Sequence, residues 1–187
     1  MKQEHIEHAQ GWMESYSYKR DVCPTAHAKL AEWLNLRASG DNRGLLLAGG
    51  FGTGKTEFCK RFLNSWKLRR AIDIATMYSN NGTGDVLNEW VHGVYATGSM
   101  RVDPWDVVID DVGQEGQAKH YGESVEVLGQ IMEQRYGYWL ECGARTAITT
   151  NMDYKQMTAR YGLRTMDRML HMCYVVKFDA PSARGRA

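Results

Sequence analysis

One eight-residue stretch constrains this chain more than any other: Gly49-Gly50-Phe51-Gly52-Thr53-Gly54-Lys55-Thr56 satisfies G-x-x-x-x-G-K-[ST] in full. A polyphosphate is held by several backbone N–H groups turned toward one point, and that curvature demands positive φ, which glycine supplies without a steric penalty. Lys55 is a compact cation able to reach β- and γ-phosphates, and the Thr56 hydroxyl suits a magnesium ion. The surroundings agree. The apolar run Gly44-Leu45-Leu46-Leu47-Ala48 before the loop reads as a strand buried on both faces. The helix formers from Glu57 to Trp66 place a helix N-terminus against the anion. Nucleotide, as ATP or ADP with Mg²⁺, is therefore the expected ligand, with Gly49 to Glu57 around it.

Such a loop needs an acid delivered to the magnesium from a second strand. Trp105 to Ile109 reads as an apolar strand running into Asp110 and Asp111. Asp110 is expected to join Thr56 at the metal. Asp111, one residue on, is placed to orient or deprotonate the attacking water. Paired aspartates at a strand end also serve as helix caps, and beside a complete phosphate loop the metal role is the better reading.

The rest of the chain fits one α/β unit. Its 187 residues suit a single core, and 43% hydrophobic with 24% charged residues is an ordinary globular balance. The formal charge of +1 excludes a chain that binds nucleic acid through overall charge, leaving only a local patch. No apolar run is long enough to span a bilayer, and the first residues lack the apolar core of a signal peptide. Cys23, Cys59, Cys142 and Cys173 are scattered without a C-x-x-C pair, which points to free thiols and a cytoplasmic setting.

Expected elements are a helix over Thr25–Arg37, strands over Ala71–Tyr78, Thr146–Thr149 and Tyr174–Phe178 beside the two above, and helices near Asp85–Tyr95, Ser124–Leu140, Asp153–Tyr161 and Met166–Met172. Strands alternating with helices imply a parallel five-stranded sheet in three layers, the P-loop NTPase arrangement. Thr149-Thr150-Asn151 ends one strand in polar side chains. Arg164 and Arg168, four apart, share a helix face, where they are either arginine-finger candidates or solvated partners of nearby acids.

From Leu45 to Arg184 the sequence resembles the DnaC/IstB-like ATPases, bacterial helicase loaders and their transposition relatives. The matching runs are LLLAGGFGTGKT at 45–56, VVIDDVG at 107–113, IMEQRYGYWLECGARTAITTN at 131–151 and YGLRTMDRMLHMCYVVKFDAPSARGR at 161–186. The resemblance implies an AAA+ core over 23–187 after an N-terminal arm over 1–22, a Walker A at Gly49–Thr56 and a Walker B at Asp110 and Asp111. It also implies that Asn151 acts as sensor I, Arg168 as the arginine finger beside Arg164, and Arg184 as the sensor II arginine. The implied activity is ATP hydrolysis, slow without a partner, in a homo-oligomer formed with ATP, acting in DNA replication or mobile-element transactions. Implied partners are a replicative DNA helicase and single-stranded DNA.

There are departures from the family pattern. Forty-eight residues precede the loop where loaders carry a helicase-binding domain, the chain has no room for a helical lid domain, and Asp111 stands where AAA+ proteins commonly carry glutamate. Two other functions therefore stay open: a small-molecule P-loop kinase, and a nucleotide-sensing adaptor with negligible turnover. Other features carry less. Gly82-Thr83-Gly84 lacks the third glycine of a dinucleotide fingerprint and reads as a loop. His5 and His8 share a helix face without an acidic partner. Trp12, Tyr16 and Tyr18 followed by Lys19 and Arg20 suit either packing or stacking on a base. Lys60, Arg61, Lys67, Arg69 and Arg70 form a basic group that suits either DNA or water.

Overall fold

The computed structural model describes residues 23–82, 86–92, 105–120 and 123–182. Five parallel strands form the main sheet: β1 (Gly44–Gly49), β2 (Lys67–Arg70), β3 (Val107–Val112), β6 (Thr146–Thr150) and β7 (Cys173–Phe178), in the order β2-β3-β6-β1-β7. A separate antiparallel hairpin pairs β4 (Ala118–His120) with β5 (Glu123–Val125). Parallel neighbours need crossovers, and the helices that make them cover both faces. On one face α1 (Pro24–Ala38) and α2 (Lys55–Phe62) pack on Leu45, Leu47, Val108, Ala147 and Val176. On the other, α3 (Ala71–Asn81), α4 (Val127–Cys142), α5 (Tyr154–Tyr161) and α6 (Leu163–Met172) enclose Leu46, Val107, Ile109, Val112 and Ile148. Successive leucines of β1 point to opposite faces, so a strand in the middle of three layers must be apolar throughout. This is the expected α/β three-layer fold. Among the described residues no helix is long and apolar enough to cross a membrane.

Several elements differ from expectation; among them α2 ends early, at Phe62, and α6 begins early, at Leu163. Ala71–Tyr78 is not a strand but most of α3, and its buried residues Ala71, Ile74, Ala75 and Tyr78 recur at helical spacing. The second strand lies just before it, at Lys67–Arg70. An edge strand buries little, so it can be built from charged residues: Lys67 pairs with Glu89 at 2.9 Å and its ammonium lies 4.7 Å over Trp90 and 4.5 Å over Trp105. Part of the basic group is therefore sheet edge. The expected helix at Ser124 begins at Val127, because Ser124 belongs to β5. Of the helix expected near Asp85–Tyr95, the described part includes a π-helical turn at Asn88–His92. The acidic strand extends to Val112, placing both aspartates inside it.

Arg135 orients α4. It is fully buried, donates to Thr146 Oγ1 at 2.9 Å and to the Arg145 carbonyl at 2.6 Å, and burial pushes its pKa down to about 10.

Gly49 closes β1 with φ 148°, and a Cβ there would sit 2.3 Å from the Phe178 carbonyl oxygen of β7. Gly49→Ala must push the two strands apart just below the loop. The expected loss is roughly 3 kcal/mol of stability, read by thermal denaturation followed by circular dichroism.

Candidate functional site

β1 delivers the chain to the loop, and α2 begins at Lys55. Between them Gly52 (φ 71°) and Gly54 (φ 90°) are left-handed, the second as the residue that opens α2. The Thr53 hydroxyl donates to the Gly50 carbonyl at 3.0 Å and tightens the turn. Lys55 is only 5% exposed and spends its donors inside this cradle. Nζ reaches the Gly49 carbonyl at 2.7 Å, the Gly50 carbonyl at 2.8 Å and Asn151 Oδ1 at 2.8 Å. These three acceptors are neutral oxygens, and they give the buried ammonium the hydrogen bonds that burial demands.

Sheet order explains the third contact. β6 lies between β1 and β3, so its C-terminal end, where Asn151 follows, falls between the phosphate loop and the acidic strand. The chain then turns into α5 through a capping box: the Asp153 carboxylate accepts from the Gln156 N–H at 2.8 Å, and the Gln156 side-chain Oε1 accepts from the Asp153 N–H at 2.9 Å.

Asp110 is buried, and its Oδ1 accepts from the Thr56 hydroxyl at 2.8 Å and the Thr149 hydroxyl at 2.6 Å. Thr149 in turn accepts the Asp111 N–H at 2.8 Å. The register between β3 and β6 slips between Ile109 and Val112, and within that irregularity Asp111 takes φ 56°. Such bulges re-aim a side chain relative to its strand. Asp111 is half-buried and lines the cleft over the loop, about 670 Å³ in volume, with Phe51, Glu57, Lys60, Arg70 and Gln114. On the far side of Asn151 an apolar cavity of about 540 Å³, lined by Met152, Met157, Met166, Val175 and Phe178, abuts Gly49 and Gly50.

The Thr56 hydroxyl and Asp110 carboxylate, one from each strand-and-helix unit, are hard oxygen donors in mutual contact. They fit magnesium, which takes one or two protein oxygens and fills its octahedron with water and phosphate. Among the described residues no group of three His, Cys, Asp or Glu side chains makes a site for a metal.

Glu57 lies on the first turn of α2 at the cleft lip, paired with Arg61 at 2.6 Å. Arg168 is not among the residues lining the cleft. Its guanidinium contacts Glu133 of α4 and stacks 5.2 Å over the Tyr136 ring. Arg164 also faces Glu133, at 3.7 Å, but its side chain is 78% exposed. The shared face predicted for the two arginines thus exists, and Glu133 is what it meets. Arg184, the arm with His5, His8, Trp12, Tyr16 and Tyr18, and residues 83–84 lie outside the described residues.

Two residues of the site were not named as site candidates from the sequence. Thr149 links the two aspartates, and the sequence marked it only as one of the polar side chains that end its strand. Arg70 stands in register with Asp110 on the neighbouring strand and lines the cleft. Its guanidinium is held by Asp73, which raises its pKa with smaller help from Asp111 and Asp110. Its only sequence signal was membership of a basic stretch.

No protein-family profile matches the chain, and no curated protein matches its sequence. Solved structures do match. The crystal structure of the DnaC helicase loader superposes with a TM-score of 0.52 over 74% of this chain and 80% of that one, at 16% identity. That of DnaI superposes with a TM-score of 0.52 over 76% and 73%, at 19% identity. The chain shares the fold of these two structures, a parallel five-stranded sheet between helices.

Proposed function

We propose that the cleft binds ATP with magnesium and hydrolyses it, and that the chain works as a nucleotide-dependent assembly factor on DNA. The observation that carries this is the buried Lys55 ammonium, coordinated by neutral oxygens beside the linked Thr56–Asp110 pair. A triphosphate would offer this ammonium anionic acceptors in place of neutral ones, so that its charge-assisted hydrogen bonds also become ion pairs. The nucleobase loses little on leaving water for the apolar cavity beside Gly49.

In hydrolysis, water adds to the γ-phosphorus, the bond from that phosphorus to the ADP oxygen breaks, and the water proton passes to Asp111. Lys55 and Asn151 hold the γ-phosphate, and Thr149 keeps Asp110 and Asp111 in register. Thr56 and Asp110 would hold magnesium, which when bound would neutralise charge on the phosphate oxygens. Arg168 or Arg164 from a neighbouring copy would complete the site across a subunit interface. Without a neighbouring copy to supply that arginine, slow turnover is expected of the isolated protein. The likeness to DnaC, named as a helicase loader, supports a helicase as a partner, and the sequence resemblance adds single-stranded DNA as a candidate.

Light scattering tests the assembly step. Without nucleotide the mass of one chain is expected. A non-hydrolysable ATP analogue with magnesium should give multiples of it, and single-stranded DNA should stabilise them. Bound analogue at an unchanged mass rejects the assembly, and failure to take up ATP or ADP rejects the site.

A further inference from the structure

Glu115 is 2% exposed, lies four residues beyond Asp111, and is not among the residues lining the cleft. Its Oε2 accepts the Gly113 N–H at 2.8 Å, while Oε1 accepts the Tyr161 hydroxyl and faces Arg160 Nη2 at 3.0 Å. Arg160 also donates to the Gly113 carbonyl at 2.9 Å and to the Glu115 carbonyl, and its Nε reaches Glu126 at 3.3 Å. Gly113 is therefore gripped at both its N–H and its C=O by one ion pair. It has φ 100°, and a Cβ there would lie 2.6 Å from Met152 Sδ, so the loop is pressed against the residue that follows Asn151.

Stability does not explain this cluster. A buried ion pair is commonly no more stabilising than apolar residues of the same shape, although removing one partner is costly. Here two carboxylates, Glu115 and Glu126, share the Arg160 guanidinium, and burial holds the Glu126 pKa above its ordinary range. What the cluster does deliver is fixed geometry for the residues after Asp111. Its other half, Arg160 and Tyr161, ends α5, and the chain passes through Gly162 directly into α6 with Arg164 and Arg168. α5 thus runs from the turn after Asn151 to the clasp on the Asp111 loop, and α6 leads from there to the exposed Arg164 and the half-buried Arg168.

We propose that Glu115 is a positioning residue for hydrolysis. It clasps the Asp111–Gln114 loop to the end of α5, keeps the Asp111 carboxylate trained on the attacking water, and makes that aim answer to where α6 is held. The inference rests on reading the cleft as an ATPase site.

Glu115→Gln keeps the shape and the acceptor oxygen but removes the charge facing Arg160. The expected result is a fall in kcat of about tenfold with KM for magnesium-ATP unchanged within about twofold, the pattern of an interaction that matters only in the transition state. The double variant Glu115→Gln/Arg160→Met removes the guanidinium as well, taking the donor to the Gly113 carbonyl and the partner of Glu126 with it, and should not regain kcat. An unchanged kcat in folded Glu115→Gln overturns the proposal, as does a KM that rises in step, or a kcat that returns in the double variant. Hydrogen exchange separates this from failure of the ATPase reading. If wild-type protein binds nucleotide without turning it over, nucleotide must still protect residues 111–116 in wild type and not in Glu115→Gln, and equal protection in both overturns the positioning role. A wild type that binds no nucleotide overturns both readings.

Discussion

Lys55→Ala is expected to weaken ATP binding by at least about a hundredfold, because charge-assisted hydrogen bonds to phosphate are worth about 1.5–3 kcal/mol each and 1.4 kcal/mol is a factor of ten. The structure separates this from a folding defect. Lys55 hydrogen bonds to two loop carbonyls and Asn151, so its loss loosens the loop, but β1 and α2 remain anchored by Leu45, Leu47, Phe58 and Cys59 in the core. Without nucleotide the variant should melt close to wild type. With ATP at a hundred times the wild-type Kd, wild type gains about 2.7 kcal/mol of stability and the variant almost none. Titration with a fluorescent nucleotide together with thermal shift reads both quantities. Wild-type affinity in Lys55→Ala would mean that the loop is a glycine turn and not a phosphate cradle.

Arg168→Ala should leave nucleotide binding within about twofold of wild type and lower assembly-stimulated hydrolysis by about a thousandfold, the scale of an arginine acting in trans on a transferring phosphate. Within its own chain Arg168 touches Glu133 and Tyr136 and does not line the cleft, so deleting it cannot disturb the local phosphate loop directly. A mixing experiment makes the case sharper. Lys55→Ala and Arg168→Ala proteins, each inactive alone, should recover activity together, since a mixed interface can pair an intact Lys55 with an intact Arg168. Hydrolysis unaffected by Arg168→Ala would defeat the interface, and full activity of Arg164→Ala on its own would show that Arg168 carries the role without Arg164.

What could be read in advance was local chemistry. The loop is a contiguous pattern, β1 is a run of leucines that only a central strand accommodates, and the aspartates sit together in the chain. What could not be read depended on the sheet. Lys67–Arg70 is a strand because it lies at an edge, a fact no property of K-L-R-R announces. Ala71–Tyr78 mixes β-branched and small residues whose pattern serves a short strand and a helix alike, and packing of Ile74 and Tyr78 against the sheet decides for the helix. Thr149 and Arg70 reach the site through cross-strand register. Glu115 lies in a polar, glycine-rich stretch that looks like surface, and its partners are supplied by a helix that follows the next strand of the sheet. Arg164 and Arg168 were rightly put on one side of a helix, but Glu133 on another helix determines what that side meets.

The positive φ at Asp111 bears on why this position carries the shorter acid. A left-handed backbone is tolerated by aspartate far better than by most residues with a longer or branched side chain. Reach toward the phosphate is thus supplied by the turn of the main chain as well as by methylene groups. A longer acid grafted here would inherit a backbone already bent to aim a short one, so importing the commoner glutamate is no simple gain in proton-transfer power.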